Sequence, residues 1–212
     1  MNNMNEIAKN LLDIKAVFLS PTKPFTWASG IKSPIYCDNR LTLSYPEIRS
    51  NVAKKMAEII SKKYPECEIV MGTATAGIPH ATLAAYFLEK PCGYVRGKAK
   101  DHGRQNQIEG KFEKGQKVVL IEDLISTGGS SLEAVEALRS EGLEVLGVIS
   151  IFTYQMKKAV DAFANANCEY TSLATFDELI DAAVELNYIS ASEAAKVRKF
   201  KENPQDESWI NA

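Results

Sequence analysis

Residues 117–131 read KVVLIEDLISTGGSS. The apolar run up to Ile121 is typical of a buried strand, and two adjacent carboxylates, Glu122 and Asp123, come directly after it. A short turn of small and hydroxylated residues follows, and the pattern over residues 130–141 then indicates a helix. The stretch therefore predicts a strand, a tight turn and a helix in direct succession.

Similar apolar runs recur on both sides of this unit and alternate with helical patterns. Strands are predicted near residues 68–71, 92–96, 117–121 and 145–151. Strands that alternate with helices indicate an α/β fold, in which a mostly parallel central sheet is flanked by helices. Two Ser-x-x-Glu capping boxes, Ser44–Glu47 and Ser190–Glu193, predict where two of the helices begin.

The carboxyl ends of three predicted strands are where we expect the chemistry. These ends are Gly72, Arg96 and Glu122. In open α/β sheets, ligands bind beyond the carboxyl ends of the strands. The polar stretch over residues 97–110 follows the second of these ends. It has neither helical nor strand periodicity and is predicted to be a long surface loop.

The turn after Asp123 is suited to bind a phosphate group. Residues 126–130, Ser-Thr-Gly-Gly-Ser, are called the phosphate cup below; they offer N–H groups and hydroxyls at a helix N-terminus, which attracts anions. Glu122 and Asp123 would repel phosphate, so they need another partner, either sugar hydroxyls or a metal ion. We interpret the combination as a ribose 5-phosphate site. The alternative, an ordinary strand–helix turn without a ligand, is disfavoured by the paired acids.

The predicted loop after the second strand is locally cationic. Its net charge is +3, and its charged residues and one histidine are Arg96, Lys98, Lys100, Asp101, His102 and Arg104. Most short charged runs are simply solvated surface. Because this run directly follows a strand end beside the predicted phosphate site, we favour a role in binding an anion.

The composition is that of an ordinary globular protein. The chain has 212 residues, with 25 Lys and Arg and 27 Asp and Glu, so its formal net charge is −2. This charge argues against a protein that coats nucleic acid, and no apolar run is long enough for a membrane span. The four cysteines are isolated in the sequence and are expected to be buried thiols rather than disulfide or zinc partners. We expect a single cytoplasmic domain without a membrane or nucleic-acid partner.

Residues 118–129 resemble the signature with which type I phosphoribosyltransferases bind 5-phosphoribosyl 1-diphosphate (PRPP). Three further segments resemble the orotate-specific branch of that family. They are FTWASGIKSPIYCDNR at 25–40, GTATAGIP at 72–79 and YVRGKAKDHG at 94–103. The resemblance implies the type I phosphoribosyltransferase fold as one domain over residues 1–212. That domain would have a core of about 45–175 and a small hood, formed by about 1–44 with the C-terminal helices.

The resemblance also implies a reaction, the transfer of a phosphoribosyl group from PRPP to orotate in pyrimidine (UMP) biosynthesis. Mg²⁺ would be bound mainly through PRPP, with no metal ligand from the chain, and a homodimer would share its active sites between subunits. Lys100, His102 and Asp123 would be catalytic, and Ser126 would contact orotate. The PRPP-binding residues would be Arg96, Lys100, His102, Glu122, Asp123, Leu124, Ile125, Ser126, Thr127, Gly128, Gly129 and Ser130.

The sequence departs from the best-known pattern of this branch at four positions. Ala28 and Ala76 stand where lysines are expected, and Gly97 stands where a second basic residue is often seen after Arg96. Tyr154 stands where an arginine contacts orotate. These departures leave the orotate contacts open and give more weight to Arg96 and Lys100. Weaker candidates for the base pocket are Lys32, Tyr36 and Arg40.

One alternative is a close relative, and a second belongs to another functional class. A purine phosphoribosyltransferase would share the signature but would leave residues 25–40 and the stretch 98–102 unexplained. A nucleotide-sensing regulator on the same fold should carry an added basic surface or a further domain. Outside the predicted site, we expect His80 to be structural and the polar tail at 203–212 to be peripheral.

Overall fold

The computed structural model describes residues 4–27, 30–97 and 107–211. Its first elements are α1 (Glu6–Asp13), β1 (Val17–Leu19), β2 (Phe25–Thr26), β3 (Lys32–Ser33), β4 (Ile35–Cys37), a 3₁₀ helix (Asn39–Ser44), α2 (Pro46–Lys63), β5 (Ile69–Thr73) and α3 (Gly77–Leu88). The others are β6 (Cys92–Val95), β7 (Ile108–Glu109), β8 (Lys117–Ile125), α4 (Gly129–Ser140), β9 (Glu144–Thr153), α5 (Lys157–Asn165), β10 (Tyr170–Thr175), α6 (Phe176–Glu185), α7 (Ala191–Glu202) and a second 3₁₀ helix (Glu207–Asn211). The predicted catalytic residues Lys100 and His102 lie outside the described residues.

Six strands form the central sheet in the order β10-β9-β8-β5-β6-β7. All neighbours are parallel except β6 and β7, which pair antiparallel at one edge. The predicted α/β fold with a mostly parallel sheet is thereby confirmed. The chain passes from β5 towards one edge and from β8 towards the other, so the strand order reverses between these two strands. A crevice at such a reversal is where α/β sheets bind ligands.

Helices cover both faces of this sheet. In β8, Val119 and Ile121 pack on the side of α1, α2, α3 and α6, whereas Val118 and Leu120 pack on the side of α4 and α5. Successive side chains of a strand point to opposite faces, so a strand covered on both faces needs an uninterrupted apolar run. This burial fixes the position of the carboxylates that follow in the same strand.

Residues 17–44 add two small antiparallel sheets, β1 with β4 and β2 with β3. Trp27 attaches this part of the chain to the rest. Its ring centroid lies 5.3 Å from that of Tyr154 and 5.8 Å from that of Phe200 in α7. Its indole N–H also donates a 3.2 Å hydrogen bond to the main-chain oxygen of Ile35.

The two predicted capping boxes have different outcomes. The box of Ser190 and Glu193 forms at the start of α7. Helix α2 begins at Pro46 with Tyr45 at its N-cap, and no side chain caps it. The Ser44–Glu47 prediction is therefore wrong, because Ser44 is the last residue of the preceding 3₁₀ helix and lies one position too early.

Glu122 and Asp123 also differ in position from the prediction. They lie inside β8 and not after it, because β9 continues beside β8 until Thr153 pairs with Ile125. Within the predicted loop at 97–110, residues Ile108 and Glu109 form β7 by pairing with β6.

Two further expectations concern burial. Trp209 is 1% exposed and its ring centroid lies 5.8 Å from that of Phe200, so the tail is anchored and not peripheral. Cys92 is exposed and Cys37 is half-buried, which corrects the expectation of four buried thiols. Cys67 and Cys168 are buried, as expected.

Among the described residues, no helix has both the length and the apolar character that crossing a membrane requires.

Candidate active site

A cleft of about 300 Å³ opens at the carboxyl ends of β5, β6 and β8, and is called the strand-end cleft below. It is lined by Thr73, Ala74, Thr75, Ala76, Val95, Arg96, Gly97, Gln107, Glu122, Asp123, Leu124, Ser130, Glu133 and Ala134. All three strand ends predicted to carry chemistry therefore meet, because parallel strands end at the same edge of a sheet. Five predicted PRPP-binding residues line this cleft, namely Arg96, Glu122, Asp123, Leu124 and Ser130.

The phosphate cup lies where β8 passes into α4. Gly128 is the N-cap of α4 with a φ of +82°, and the cap makes no side-chain hydrogen bond. A Cβ atom at this position would lie 2.9 Å from the ring of Phe163, so both the backbone angle and the space require glycine. The first N–H groups of this 12-residue helix thus have no capping side chain, as an anion site needs.

Three other predicted PRPP-binding residues, in or next to the cup, differ in whether their side chains are exposed. Ser126 and Thr127 line a groove between the start of α5 and the end of α7. Ile125 is fully buried in the core between the sheet, α4 and α5, so only its main chain is available to a ligand.

Glu122 is 6% exposed, and the carboxylate is engaged by hydrogen bonds on both oxygens. Oε1 accepts from the Thr73 hydroxyl at 2.6 Å and from the main-chain N–H of Asp123 at 3.0 Å. Oε2 accepts from the Ser131 hydroxyl at 3.1 Å. Burial disfavours the charged form and raises the pKa of Glu122 to about 7, against the opposing effect of the Thr73 hydrogen bond.

Asp123 is more exposed than Glu122 and also lines the strand-end cleft. The main-chain oxygen of Asp123 accepts a 2.7 Å hydrogen bond from the side-chain amide of Asn39. Asn39 is 1% exposed and comes from the 3₁₀ helix near the N-terminus, 84 residues away in sequence. Sequence reasoning missed this residue, and the one available signal was that it lies within the segment 25–40.

Arg96 lies where the cationic segment leaves the sheet. The guanidinium Nη2 lies 3.1 Å from Oε1 of Glu109, and the main-chain N–H donates to the oxygen of Gln107 at 2.8 Å. These contacts hold residues 96 and 107 together at the rim of the strand-end cleft. The nine residues between Gly97 and Gln107 lie outside the described residues, so the predicted roles of Lys100 and His102 stay predictions.

A second cavity of about 270 Å³ adjoins the first and is called the aromatic pocket below. It is lined by Thr26, Trp27, Tyr36, Cys37, Leu124, Ser126 and Tyr154. Leu124 also lines the strand-end cleft, so the two cavities meet across this residue. Tyr154, which stands at the position of an expected arginine, is 3% exposed and packs between Trp27 and Phe152. Burial raises the pKa of this phenol well above its usual value.

The other weak candidates for the base pocket have partners of their own. Tyr36 is 43% exposed and lines the aromatic pocket. The Lys32 ammonium donates to the Thr26 hydroxyl, and Arg40 forms a hydrogen-bonded ion pair with Asp38. Among the described residues, no group of three or more His, Cys, Asp or Glu side chains could hold a metal ion.

The fold and the site define a phosphoribosyltransferase. The family model described as a phosphoribosyl transferase domain matches residues 43–178. This range includes the phosphate cup, both carboxylates and Arg96.

Comparison with full-length relatives shows to which branch of the phosphoribosyltransferases the chain belongs. The chain is 57% identical over 204 residues to the orotate phosphoribosyltransferase of Bacillus subtilis (strain 168), covering 96% of this chain and 94% of that one. It is 54% identical over 211 residues to the enzyme of the same name from Lactococcus lactis subsp. lactis (strain IL1403), covering 100% of both. A solved orotate phosphoribosyltransferase from Aeropyrum pernix superposes with a TM-score of 0.75 at 30% identity, covering 87% of this chain and 99% of that one. The chain therefore belongs to the orotate phosphoribosyltransferase family, as the resemblance of its segments predicted.

Proposed function

We propose that this protein transfers the 5-phosphoribosyl group from PRPP to N1 of orotate, as a step of pyrimidine (UMP) biosynthesis in the cytoplasm. The bond between C1 of the ribose and the diphosphate oxygen breaks, and the bond from C1 to N1 forms with loss of the N1 proton. The products are orotidine 5′-monophosphate and pyrophosphate. The observation that carries the proposal is the junction of the two cavities: the strand-end cleft beside the phosphate cup meets the aromatic pocket across Leu124.

Each part of the junction suits one part of the substrates. The phosphate cup offers helix N–H groups to the 5-phosphate. The carboxylate of Asp123 accepts hydrogen bonds from the ribose hydroxyls, and the aromatic pocket takes the planar base with Ser126 at its edge. Arg96, together with Lys100 and His102, stabilises the negative charge that grows on the departing diphosphate.

Mg²⁺ fits this site as an ion bound through the substrate. Both oxygens of Glu122 are engaged by protein donors, and Mg²⁺ binds commonly through substrate phosphates with few protein ligands. When bound, the ion would neutralise charge on the diphosphate. Asp123 would orient the ribose hydroxyls beside it.

The direct test is a turnover assay with purified protein, Mg²⁺ and PRPP, in which loss of orotate absorbance is followed. Parallel reactions contain hypoxanthine or adenine in place of orotate. We expect turnover of orotate alone, and loss of most of that turnover in the Asp123→Asn variant. Turnover of a purine without turnover of orotate would reject the proposal in favour of a purine enzyme.

A homodimer with shared active sites is also part of the proposal, and subunit mixing tests it. In such a dimer, residue 100 of one subunit acts with residue 123 of the other. Mixing inactive Lys100→Ala subunits with inactive Asp123→Asn subunits then produces hybrids with one intact site, so we expect activity to return. Absence of activity after subunit exchange, verified by differently tagged chains, would show that the sites are not shared.

A further inference from the structure

Arg96 and Glu109 form an ion pair where β6 ends. Nη2 of Arg96 lies 3.1 Å from Oε1 of Glu109, and the two side chains are 26% and 41% exposed. Arg96 lines the strand-end cleft, whereas Glu109 is not among its lining residues. The carboxylate therefore contacts the guanidinium from outside the cleft.

The backbone places Glu109 on the same face of the sheet as Arg96. In the antiparallel pair of β6 and β7, Tyr94 lies opposite Glu109 and Val95 lies opposite Ile108. Alternate residues of a strand point to the same face, so Arg96 follows Tyr94 and shares the face of Glu109. On the other face, Val95 and Ile108 are 2% and 4% exposed, and they anchor both strands in the core.

The close approach of the two strands depends on Gly93. A Cβ atom at this position would collide with the main-chain oxygen of Glu109, and it would lie 2.8 Å from Sδ of Met71. Any larger residue would push β7 outward and would carry Glu109 away from Arg96. The position of the carboxylate is thus built into the pairing of β6 with β7.

Neither stability nor attraction of a ligand explains a carboxylate at this place. Partly exposed ion pairs contribute little to the stability of a fold, because solvent screens them and two side chains must be ordered. Because Glu109 is itself negative, it also weakens the attraction of this side of the cleft for an anion. Orientation is the remaining effect. An arginine side chain is long and flexible, and fixing it before a ligand arrives lowers the entropic cost of binding.

We propose that Glu109 is a positioning residue that holds the guanidinium of Arg96 at the rim of the strand-end cleft, in place to bind the diphosphate of PRPP. This inference rests on the proposed function, in which Arg96 stabilises the departing diphosphate. A guanidinium can bond to more than one acceptor, so the pair with Glu109 is compatible with a contact to the diphosphate. Glu109 acts through Arg96 and does not itself contact the substrate.

The test compares two ligands by calorimetry, pyrophosphate with Mg²⁺ and ribose 5-phosphate. The first has the diphosphate that Arg96 binds, and the second has only the phosphate that occupies the phosphate cup. We expect E109A to weaken pyrophosphate binding about five- to tenfold, the cost of ordering one long side chain, and to leave ribose 5-phosphate binding unchanged. E109Q should bind pyrophosphate within about threefold of wild type, because its amide oxygen can take the place of Oε1.

The direction of the change separates positioning from a simple effect of charge. If Glu109 acted only through its charge, removing that charge would strengthen pyrophosphate binding in both E109A and E109Q. Tighter or unchanged binding in E109A therefore overturns the proposal, and so does an E109Q variant as weak as E109A. The control is Glu113→Ala, which removes the same charge from an exposed pair with Lys111 and should leave pyrophosphate binding unchanged.

A double-mutant cycle shows whether Glu109 acts through Arg96. In the Arg96→Ala background, E109A should change pyrophosphate affinity less than about twofold, because the group that it positions is gone. An undiminished effect of E109A in that background overturns the proposal. If E109A does not fold, E109M takes its place, since methionine keeps the length of the side chain without an oxygen, and it should weaken pyrophosphate binding to the same extent.

Failure of the proposed function gives a different result. Arg96→Ala would then bind pyrophosphate as tightly as wild type. Failure of this inference alone would leave Arg96→Ala weak in pyrophosphate binding and E109A like wild type.

Discussion

The side-chain amide of Asn39 donates a 2.7 Å hydrogen bond to the main-chain oxygen of Asp123. One partner lies in the N-terminal part of the chain and the other in the central strand of the sheet. The contact joins the segment that lines the aromatic pocket to the strand that carries the phosphate cup. Two parts of the proposed site thus depend on one buried hydrogen bond.

Replacing Asn39 should therefore destabilise the protein. The Asn39→Ala variant leaves the oxygen of Asp123 buried without its donor, which costs about 1–3 kcal/mol. Urea unfolding measures this loss. The control is Asn165→Ala, an exposed position in the last turn of α5, which should change stability by less than about 0.5 kcal/mol. Equal stabilities of the two variants would contradict the prediction.

Gly128 offers a test of the phosphate cup. In Gly128→Ala the new Cβ meets the Phe163 ring at 2.9 Å in addition to the unfavourable φ of +82°. Gly115 has a similar φ of +85° with nothing within 4 Å, so Gly115→Ala isolates the backbone cost of about 1 kcal/mol. We expect Gly128→Ala to be less stable than Gly115→Ala, and to raise KM for PRPP as well. A KM unchanged from wild type in folded Gly128→Ala protein would argue against phosphate binding there.

Tyr154 tests the aromatic pocket as the site of the base. Tyr154→Phe keeps the ring that packs against Trp27 and Phe152 but removes the hydroxyl. We expect KM for orotate to rise by about tenfold, a loss of one hydrogen bond worth about 1.4 kcal/mol, while KM for PRPP stays the same. Steady-state kinetics with each substrate varied in turn makes the measurement. Tyr188→Phe, at an exposed tyrosine, is the control, and equal orotate KM values in the two variants would refute the assignment.

The burial of His80 should make the protein less stable in acid. Burial lowers the pKa of His80 to about 4, and Nδ1 of its ring has no partner among the described residues. Between pH 6.5 and 4 the unfolded chain binds a proton at this position and the folded protein does not. The free energy of unfolding should therefore decrease as the pH is lowered from 6.5 to 4, by up to about 1.4 kcal/mol per pH unit.

The variant His80→Gln should remove this part of the acid loss. Urea unfolding at several pH values between 6.5 and 4 would show a shallower decline for His80→Gln than for wild type. Thr42→Val removes the hydroxyl that lies 3.5 Å from His80 Nε2 but keeps the imidazole, so it should retain the wild-type slope. Parallel curves for His80→Gln and wild type would contradict the prediction.

The burial of Glu122 should change the free energy of unfolding with pH in the opposite direction. Because its pKa is raised to about 7, the folded protein keeps a proton there while the unfolded chain loses it near pH 4.5. The contribution to stability is complete below pH 4.5 and is lost as the pH rises to about 7. Unfolding curves of Glu122→Gln should lack this decline, whereas Ser131→Ala, which keeps the carboxyl group, should retain it. A decline of the same size in Glu122→Gln would show that another group is responsible.

Much of the fold could be predicted from local sequence patterns. The apolar run at 117–121 indicated a buried strand, and Val118 to Ile121 of β8 are fully buried. The Ser190–Glu193 box marked the start of α7, because capping depends on residues three positions apart. The failure at Ser44 has a physical reason of the same kind, since the preceding residues form a 3₁₀ helix that the motif alone does not reveal.

The candidate site could be predicted from the sequence only in part. The phosphate cup and the acids follow each other in the chain, so their chemistry was visible as a motif. By contrast, Thr73 donates to Glu122 across 49 positions, and Asn39 reaches Asp123 across 84 positions. No spacing rule connects residues so distant.

The sequence by itself determined the alternation of the main strands and helices, the phosphate cup and the adjacent carboxylates, because short-range hydrogen bonding and side-chain periodicity govern these features. The tertiary structure decided that Glu122 is buried and engaged by protein donors, whereas Asp123 stays more exposed in the same strand-end cleft. Glu122 and Asp123 are neighbours of similar chemistry, and both line the strand-end cleft. What differs between them is burial and hydrogen-bond partners, and both depend on β5, α4 and the N-terminal segment packing around the end of β8.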